Sequence, residues 1–189
     1  MIKRTAVEEI AVASLRTKMG TVWILCTERG VRGVRIGLDP KPSREEARRR
    51  GSRFVRRARW TDRARADLER YFEGRPVPLD LPLDLAEGTE FERSVWAAAR
   101  QVAHGTVASY ADVAREVKAP RATRAVGNAL GKNPVPIVVP CHRILHADLS
   151  IGGFSSGLPW KRFLLELERG QLALEWQPKR RTPVFGRSR

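Results

Sequence analysis

The chain has 189 residues and a mass of 21.3 kDa, and 42% of its residues are hydrophobic, which is enough to bury one good core or two small ones. Its formal net charge of +15 indicates a polyanionic partner, because clustered Lys and Arg gain affinity for phosphates by releasing counterions. Nucleic acid is the first candidate, although a genome whose base composition favours arginine codons, or a thermophilic source, would supply part of the same excess of positive charge. Two cysteines without a CxxC pattern and three unclustered histidines argue against a disulfide framework and a zinc site.

The sequence contains no recognisable targeting or membrane-spanning segment. No apolar run approaches the ~20 residues that a spanning helix needs. The segment after Met1 lacks the apolar region of a signal peptide. We therefore expect a soluble cytoplasmic protein, associated with the nucleoid if the source is prokaryotic, that uses neither a metal nor another cofactor.

The first half of the chain predicts a small antiparallel sheet followed by helices. Three β-rich runs separated by short turns are typical of a meander, and they cover residues 10–17, 21–27 and 31–36. Ser43 and Glu46 have the spacing of a capping box that opens a short helix. A second helix, Thr61–Phe72, places apolar side chains at helical spacing, so its apolar face should cover the sheet.

An arginine-rich stretch and a proline-rich stretch end this half. Between Arg44 and Arg65 there are ten arginines and three acidic residues. We interpret this stretch as a solvated face, and a flank that contacts phosphates is the alternative. Three prolines between residues 75 and 88 predict an extended linker. The predicted division is an N-terminal α/β domain at 1–87, a C-terminal domain at 88–175, and a basic tail at 176–189 that is disordered or binds phosphates.

The second half predicts a mostly helical domain with a helix-turn-helix. An amphipathic helix over Phe91–Val102 precedes a helix over Tyr110–Val117, which Ser109 and Asp112 cap. After a short turn, a further helix covers Arg121–Leu130. Two helices joined in this way are what a helix-turn-helix requires, although any pair of antiparallel helices shares the pattern.

The helix predicted over Arg121–Leu130 combines small and basic residues. Small side chains allow close approach, either to a groove of DNA or to another helix of the domain, and they are Ala122, Ala125, Gly127 and Ala129. Arg121 and Arg124 add positive charge. A long charged side chain amid small neighbours favours a groove-facing role for Arg124.

The most restricted segment of the chain ends at Cys141. Its prolines fix φ and remove three backbone donors, and they are Pro134, Pro136 and Pro140. Residues 137–139 are therefore predicted to form a short, extended, buried segment. His142 follows Cys141 directly, and a thiol beside an imidazole is a nucleophile candidate if the imidazole stabilises the thiolate. A small buried hydrophobe is the alternative interpretation of Cys141.

The Pro-Cys-His-Arg sequence at 140–143, with Asn-Pro at 133–134 and a basic two-helix unit before it, resembles the acceptor motif of the O6-alkylguanine-DNA alkyltransferases. The resemblance is close from Phe91 to Glu168 and general before that. It implies an α+β fold with a ribonuclease H-like N-terminal domain and a winged-helix-like C-terminal domain. It also implies DNA repair by direct reversal, in which a methylated-DNA-[protein]-cysteine S-methyltransferase flips the damaged nucleotide. The alkyl group then moves irreversibly, once per molecule, from O6-alkylguanine or O4-alkylthymine to the cysteine.

By similarity, the expected partner is double-stranded DNA bound through the minor groove by a monomer, with cooperative binding left open. Cys141 would be the alkyl acceptor, His142 its base through a bound water, and Glu168 the carboxylate that orients His142. Tyr110 would donate to guanine N3. Asn133 would tie the active-site turn to the recognition helix.

The resemblance also assigns the walls of the pocket. Ser155 would donate toward guanine O6, and Phe154 stands where a tyrosine is common. Pro136 and Gly152 match positions that accompany an open pocket tolerant of bulky alkyl groups, and Ile144 completes the substrate-binding set.

The same resemblance assigns the contacts with DNA. Arg124 would fill the gap left by the flipped nucleotide, and the helix face in the groove would comprise Arg121, Ala122, Thr123, Ala125 and Gly127. The chain departs from the family at Leu149, where glycine is frequent, and this should alter the hairpin after the motif.

Two other functional classes compete. A Cys-His hydrolase would need His104 or His146 as its base, and a non-catalytic alkyltransferase-like protein would lack the acceptor cysteine.

Overall fold

The computed structural model describes residues 7–37 and 41–169. Their strands are β1 (Glu8–Thr17), β2 (Gly20–Thr27), β3 (Gly30–Arg35), β4 (Ser52–Val55), β5 (Ala108–Ser109) and β6 (Ile144–Leu145). Their helices are α1 (Arg44–Arg49), α2 (Thr61–Phe72), α3 (Glu90–Arg100), α4 (Tyr110–Glu116), α5 (Thr123–Gly131) and α6 (Leu158–Glu168), with a 3₁₀ turn at Cys141–Arg143. The α+β fold class is confirmed. The predicted tail at 176–189 and the domain end at 175 lie outside the described residues.

The first half forms a four-stranded sheet in the order β3-β2-β1-β4. The meander of β1, β2 and β3 is antiparallel, as predicted. The fourth strand was not predicted, and it makes the sheet mixed because β4 pairs parallel to β1, with Phe54 opposite Ile10. Its four residues lie inside the arginine-rich stretch, where the pattern predicted only a solvated face.

That arginine-rich stretch is covered by ion pairs. Among the described residues, six of its ten arginines lie within ion-pair distance of a carboxylate, and they are Arg49, Arg50, Arg53, Arg57, Arg63 and Arg65. Ser43 caps α1 by accepting from the Glu46 N–H at 3.0 Å, but the Glu46 carboxylate binds Arg35 and does not complete the capping box. These contacts support the solvated-face interpretation, and such exposed pairs add little stability.

The predicted linker is extended and is attached to the edge of β3. Val31 N donates to Pro82 O at 2.8 Å, and Asp84 N donates to Val31 O at 3.0 Å. A Cβ on Gly30, which has φ +152°, would lie 2.3 Å from Pro82 O, so this approach requires glycine. Farther along the same edge, Val34 N donates to Pro134 O at 2.9 Å. Strand β3 therefore contacts both the linker and the proline-rich segment before Cys141.

The two predicted domains share one hydrophobic core. A single buried cluster includes Leu68 and Tyr71 of α2 together with Ile144, Trp160 and Leu164 of the second half. No helix in the described part of the chain is both long and apolar enough to cross a membrane. The predicted boundary near residue 87 stays a prediction, since the core does not divide there.

The second half contains the predicted helix-turn-helix. Ser109 and Asp112 form the capping box of α4 as predicted, and an unpredicted box formed by Thr89 and Glu92 opens α3. Helix α5 begins at Thr123, because Ala122 has a non-helical backbone and serves as the N-cap residue. Arg121 and Ala122, predicted to lie on this helix, therefore precede it. The parallel pair β5–β6 joins the start of α4 to the end of the Cys141 turn.

Candidate active site around Cys141

Cys141 lies at the end of a tight turn, and this corrects the predicted extended segment at 137–139. Ile137 has φ +76°, which is rare for a β-branched residue, and the chain reverses so that Pro136 and Val139 bridge each other. Val139 N donates to Val135 O at 2.9 Å, and Cys141 N donates to Val139 O at 2.8 Å. The prolines restrict the backbone as predicted, but they support a turn. Cys141 is 7% exposed at the end of this turn.

Asn133 holds the turn together from the end of α5. Its Nδ2 donates to Val139 O at 2.9 Å and to Cys141 Sγ at 3.1 Å, while its Oδ1 accepts from Val135 N at 3.0 Å. The side chain is buried, so no solvent competes for these bonds. This geometry fits the linking role expected for Asn133 and adds a direct contact with the thiol.

The thiol of Cys141 has two polar neighbours. Burial raises its pKa, while the hydrogen bond from Asn133 and the charge of Lys161 act in the opposite direction. Lys161 is fully buried, and its Nζ donates to Ile144 O at 2.7 Å and to Gly153 O at 3.2 Å. Burial lowers the pKa of Lys161 to about 8, and the nearby Cys141 acts to raise it. Lys161 was not predicted, although a lysine between Trp160 and the apolar face of α6 is a weak signal of a buried cation.

His142, the residue after Cys141, forms a buried pair with Glu168. His142 Nε2 and Glu168 Oε1 are 2.8 Å apart, and both side chains are 1% exposed or less. Burial acts to raise the pKa of Glu168, but the charges and hydrogen bonds of His142 and Arg143 outweigh it and hold that pKa well below its usual range. Burial lowers the pKa of His142. The imidazole is therefore neutral at pH 7, with its hydrogen on Nε2, and Nδ1 makes no hydrogen bond with the described residues.

Glu168 also accepts hydrogen bonds from three other residues. Arg143 donates from Nε to Oε2 and from Nη2 to Oε1, both at 2.8 Å. Tyr71 donates to Oε1 at 2.7 Å, and Gly105 N donates to Oε2 at 3.1 Å. Arg143, the last residue of the Pro-Cys-His-Arg motif, had been assigned no role. Tyr71 carried no sequence signal, because 97 residues separate it from Glu168.

A cavity of about 630 Å³ lies in front of Cys141. Its lining includes seven predicted residues, Tyr110, Thr123, Arg124, Gly127, Cys141, Phe154 and Ser155, and five that were not predicted, Asn128, Leu130, Gly131, His146 and Gly153. The Tyr110 ring packs against His146 at 5.3 Å between centroids. Burial raises the pKa of Tyr110, so its hydroxyl remains a neutral donor at pH 7.

Three predicted substrate-binding residues do not line this cavity. Pro136 lines a neighbouring cavity of about 440 Å³ that shares only Ser155 with it. Ile144 is fully buried in β6, where it packs in the core. Gly152 packs against Tyr110 and His146, because a Cβ there would be 2.8 Å from the tyrosine hydroxyl oxygen and 3.2 Å from His146 Nε2.

Helix α5 presents its small residues outward beside this cavity. Thr123, Arg124 and Ala125 are exposed, and Gly127 is half-buried next to Tyr110. The opposite face of α5 packs into the domain through Val126, Ala129 and Leu130. Internal helix packing, the alternative explanation for the small residues, therefore applies to Ala129 but not to Ala125. Arg121 and Ala122 lie in the turn before the helix, next to this exposed face.

Comparison with known proteins gives matches across nearly the whole described chain. Residues 10–85 match the ribonuclease-like domain of 6-O-methylguanine DNA methyltransferase, and residues 90–170 match the DNA-binding domain of the same protein. A methylated-DNA–protein-cysteine methyltransferase of Mycolicibacterium paratuberculosis is 44% identical over 60% of this chain and 72% of its own length. The chain belongs to the 6-O-methylguanine DNA methyltransferase family.

Other members of the family agree with this assignment. A methylated-DNA–protein-cysteine methyltransferase of Haemophilus influenzae is 44% identical over 57% of this chain, and the match spans 60% of that protein's length. The crystal structure of Mycobacterium tuberculosis OGT in complex with DNA aligns with a TM-score of 0.72 at 32% identity, covering 86% of this chain and 93% of that one. The O6-methylguanine-DNA methyltransferase of Pyrococcus kodakaraensis aligns with a TM-score of 0.61 at 29% identity, covering 84% and 98%.

Leu149, which stands where glycine is frequent in the family, has a left-handed backbone conformation. Leu149 has φ +69°, a conformation that favours glycine. The hairpin nevertheless forms, because Leu149 N donates to His146 O and His146 N donates to Ser150 O, both at 3.0 Å. The leucine side chain packs against a small cluster that includes Val107, Leu145 and Leu165. Its apolar contacts offset part of the backbone strain.

Proposed function

We propose that this protein repairs DNA by moving an alkyl group from O6 of guanine to Cys141. One observation carries the proposal: Cys141 lines a cavity together with Arg124 and Tyr110, and the next residue, His142, forms a buried pair with Glu168. A soft nucleophile and an exposed helix that suits a DNA groove thus meet at one cavity, and a base follows the nucleophile directly in the chain. The family membership and the DNA-bound structure of the Mycobacterium tuberculosis relative support the same function.

The proposed reaction uses the neutral His142 as a base. His142 Nδ1 takes the proton of the Cys141 thiol through a water molecule, and Glu168 stabilises the resulting imidazolium. The thiolate attacks the alkyl carbon, so that a sulfur–carbon bond forms as the carbon–O6 bond breaks. Guanine leaves with the electron pair of that bond, while Tyr110 and Ser155 donate hydrogen bonds to N3 and O6, and it is reprotonated on departure. A thioether has no good leaving group, so each molecule acts once.

Access to the target base requires nucleotide flipping, which costs a few kcal/mol. In the proposed complex, the exposed face of α5 enters the minor groove of double-stranded DNA, and Arg124 fills the space that the flipped nucleotide leaves. Arg124 lines the same cavity as Cys141, and this position supports the assignment. The protein acts as a monomer in this scheme, and O4-alkylthymine is a second substrate.

The proposed function is tested by intact-mass measurement after incubation with a duplex that contains O6-methylguanine. We expect a gain of one methyl group per molecule, mapped by peptide analysis to Cys141. The matched control is Cys26, which is also buried and whose pKa is raised to about 11 by burial. Cys141→Ala should abolish transfer, and Cys26→Ala should not.

The alternative is a non-catalytic lesion-binding protein. It is disfavoured because the acceptor cysteine is present and has Asn133 and Lys161 as polar neighbours. Tight binding of the alkylated duplex without any gain in mass would favour this alternative and refute the transfer reaction.

A further inference from the structure

Tyr71, a residue of the first half of the chain, contacts the buried pair of His142 and Glu168. Tyr71, on α2, donates from its hydroxyl to Glu168 Oε1 at 2.7 Å. It is fully buried, and its ring packs edge-on against Phe72 and His104, with centroids 5.4 Å and 6.1 Å away. Burial and the charge of Glu168 raise the pKa of Tyr71 well above its usual value. The phenol is therefore a permanent neutral donor whose position the core fixes.

The hydroxyl of Tyr71 bonds to the same oxygen that His142 uses. Glu168 Oε1 accepts from Tyr71 at 2.7 Å, from His142 Nε2 at 2.8 Å and from Arg143 Nη2 at 2.8 Å. With three donors around one buried oxygen, the carboxylate has a single orientation in which Oε1 points at the imidazole. The Oε2 atom is held separately by Arg143 and Gly105, so Tyr71 acts specifically on the oxygen that faces His142.

A hydrogen bond to the ionised carboxylate also affects where the proton sits. It favours the charged form of Glu168, and a charged Oε1 that faces His142 stabilises hydrogen on Nε2, which donates to it. That proton determines the tautomer, because a neutral imidazole with hydrogen on Nε2 has its lone pair on Nδ1. Nδ1 is the atom that accepts the thiol proton in the proposed reaction.

We propose that Tyr71 is a positioning residue that holds the Glu168 carboxylate on His142 and so keeps His142 Nδ1 unprotonated. The inference rests on the proposed function for its effect on alkyl transfer, but not for its effect on the imidazole. In this proposal, a residue of the ribonuclease-like half of the chain positions a group that acts in the reaction. The hydrogen bond from Val34 N to Pro134 O, also made by this half, supports the turn that carries Cys141.

The test compares two variants that each lose a buried hydroxyl–carboxylate hydrogen bond. Tyr71→Phe removes the bond to Glu168 and keeps the ring. Thr27→Val is the matched control, because Thr27 Oγ1 donates to Asp84 Oδ2 at the same 2.7 Å, within the first half and outside the active site. Urea denaturation of both variants shows whether they lose similar stability.

The direct readout is the tautomer of His142 in the free protein, measured from ¹⁵N chemical shifts. Assignment is simple because the chain has three histidines, and His104→Gln and His146→Gln identify the other two. We expect wild type and Thr27→Val to hold hydrogen on Nε2 alone, and Tyr71→Phe to show a mixture of the two tautomers. The rate of methyl transfer should fall about tenfold in Tyr71→Phe and stay unchanged in Thr27→Val.

Two results would overturn the inference. One is a Tyr71→Phe protein with the wild-type tautomer and the wild-type rate. The other is an equal loss of rate in Thr27→Val, which would make the effect one of stability alone. If the wild type transfers no alkyl group, the proposed function fails, and the ¹⁵N comparison still decides whether Tyr71 positions the imidazole.

Discussion

Gly152→Ala should narrow the pocket without touching the substrate directly. Gly152 has φ +46°, and a Cβ there would lie 2.8 Å from the Tyr110 hydroxyl oxygen and 3.1 Å from its Cε2. Ordinary contact begins at 3.4 Å, so the tyrosine ring has to move by roughly half an ångström. Because Tyr110 lines the cavity and Gly152 does not, we expect the ring to be displaced toward the substrate.

The size of the effect follows from that displacement. A misplacement of 1 Å at a reacting centre can reduce a rate about 100-fold, so half of that predicts a loss of about tenfold for O6-methylguanine DNA. The loss for O6-benzylguanine should be much larger, because the benzyl group needs the space that the ring takes. The left-handed backbone adds a stability cost of about 1–2 kcal/mol. Both rates can be followed by mass spectrometry of Cys141 at a temperature well below the unfolding transition.

Gly153→Ala is the matched control for this experiment. Gly153 also lines the cavity, but a Cβ there would have no atom within 4 Å. We expect this variant to react with both substrates at nearly the wild-type rate. If Gly152→Ala reacts with O6-benzylguanine as fast as the wild type does, the argument that Gly152 sets the position of Tyr110 is wrong.

Three further predictions follow from the geometry. Arg124→Ala should slow repair of duplex DNA much more than reaction with the free O6-alkylguanine base, and equal losses would contradict a role in flipping. Because the pKa of Glu168 is lowered on folding, its contribution to stability is complete above its ordinary pKa and is lost as the pH falls through the folded value. In Glu168→Gln, the free energy of unfolding measured with urea should therefore fall less steeply as the pH is lowered. The wild-type steepness in this variant would refute the prediction. Lys118→Gly should raise the free energy of unfolding by about 0.5–1 kcal/mol, since exposed Lys118 has φ +57° after α4, and a fall in the urea midpoint would contradict it.

Local rules predicted the parts of the site that lie close together in sequence. The Ser109 capping box and the position of α4 both depend on residues within a few positions of one another. The motif at 140–143 also singled out Cys141, which lines the cavity, and His142, which pairs with Glu168. At this range, capping determines where a helix begins almost without help from tertiary contacts, whereas the prolines predicted a restricted segment before Cys141 but not its turn.

Long-range contacts account for most of what the sequence did not predict. Strand β4 has two polar residues among its four and no clear alternation, so its pairing with β1 shows only in the folded sheet. In the sequence, Tyr71 resembles any core aromatic residue on an amphipathic helix, and only the folded structure brings Glu168 beside it. Lys161 is fully buried because two backbone carbonyls, of Ile144 and Gly153, accept from it, and carbonyl positions cannot be read from residue types.

Backbone strain explains the remaining difference. Ile137 was expected to be extended as part of residues 137–139, because β-branched residues favour strands and Pro140 favours extended geometry in the residue before it. Its φ of +76° is maintained by the surrounding contacts, including the three hydrogen bonds of Asn133. Such a conformation costs about 1–3 kcal/mol and persists only where neighbouring structure determines it.

The contacts along β3 also bear on aggregation. An outer strand with unpaired N–H and C=O groups is a template for pairing with another chain. Here the linker and Pro134 occupy positions on the β3 edge, while the opposite edge, β4, is only four residues long and carries the charged Arg53. If the second half were removed after residue 87, the linker would still cover Val31, but Val34 N would lose its bond to Pro134 O and become available to other molecules. The second half of the chain thus covers a β3 position at which neighbouring copies could otherwise pair.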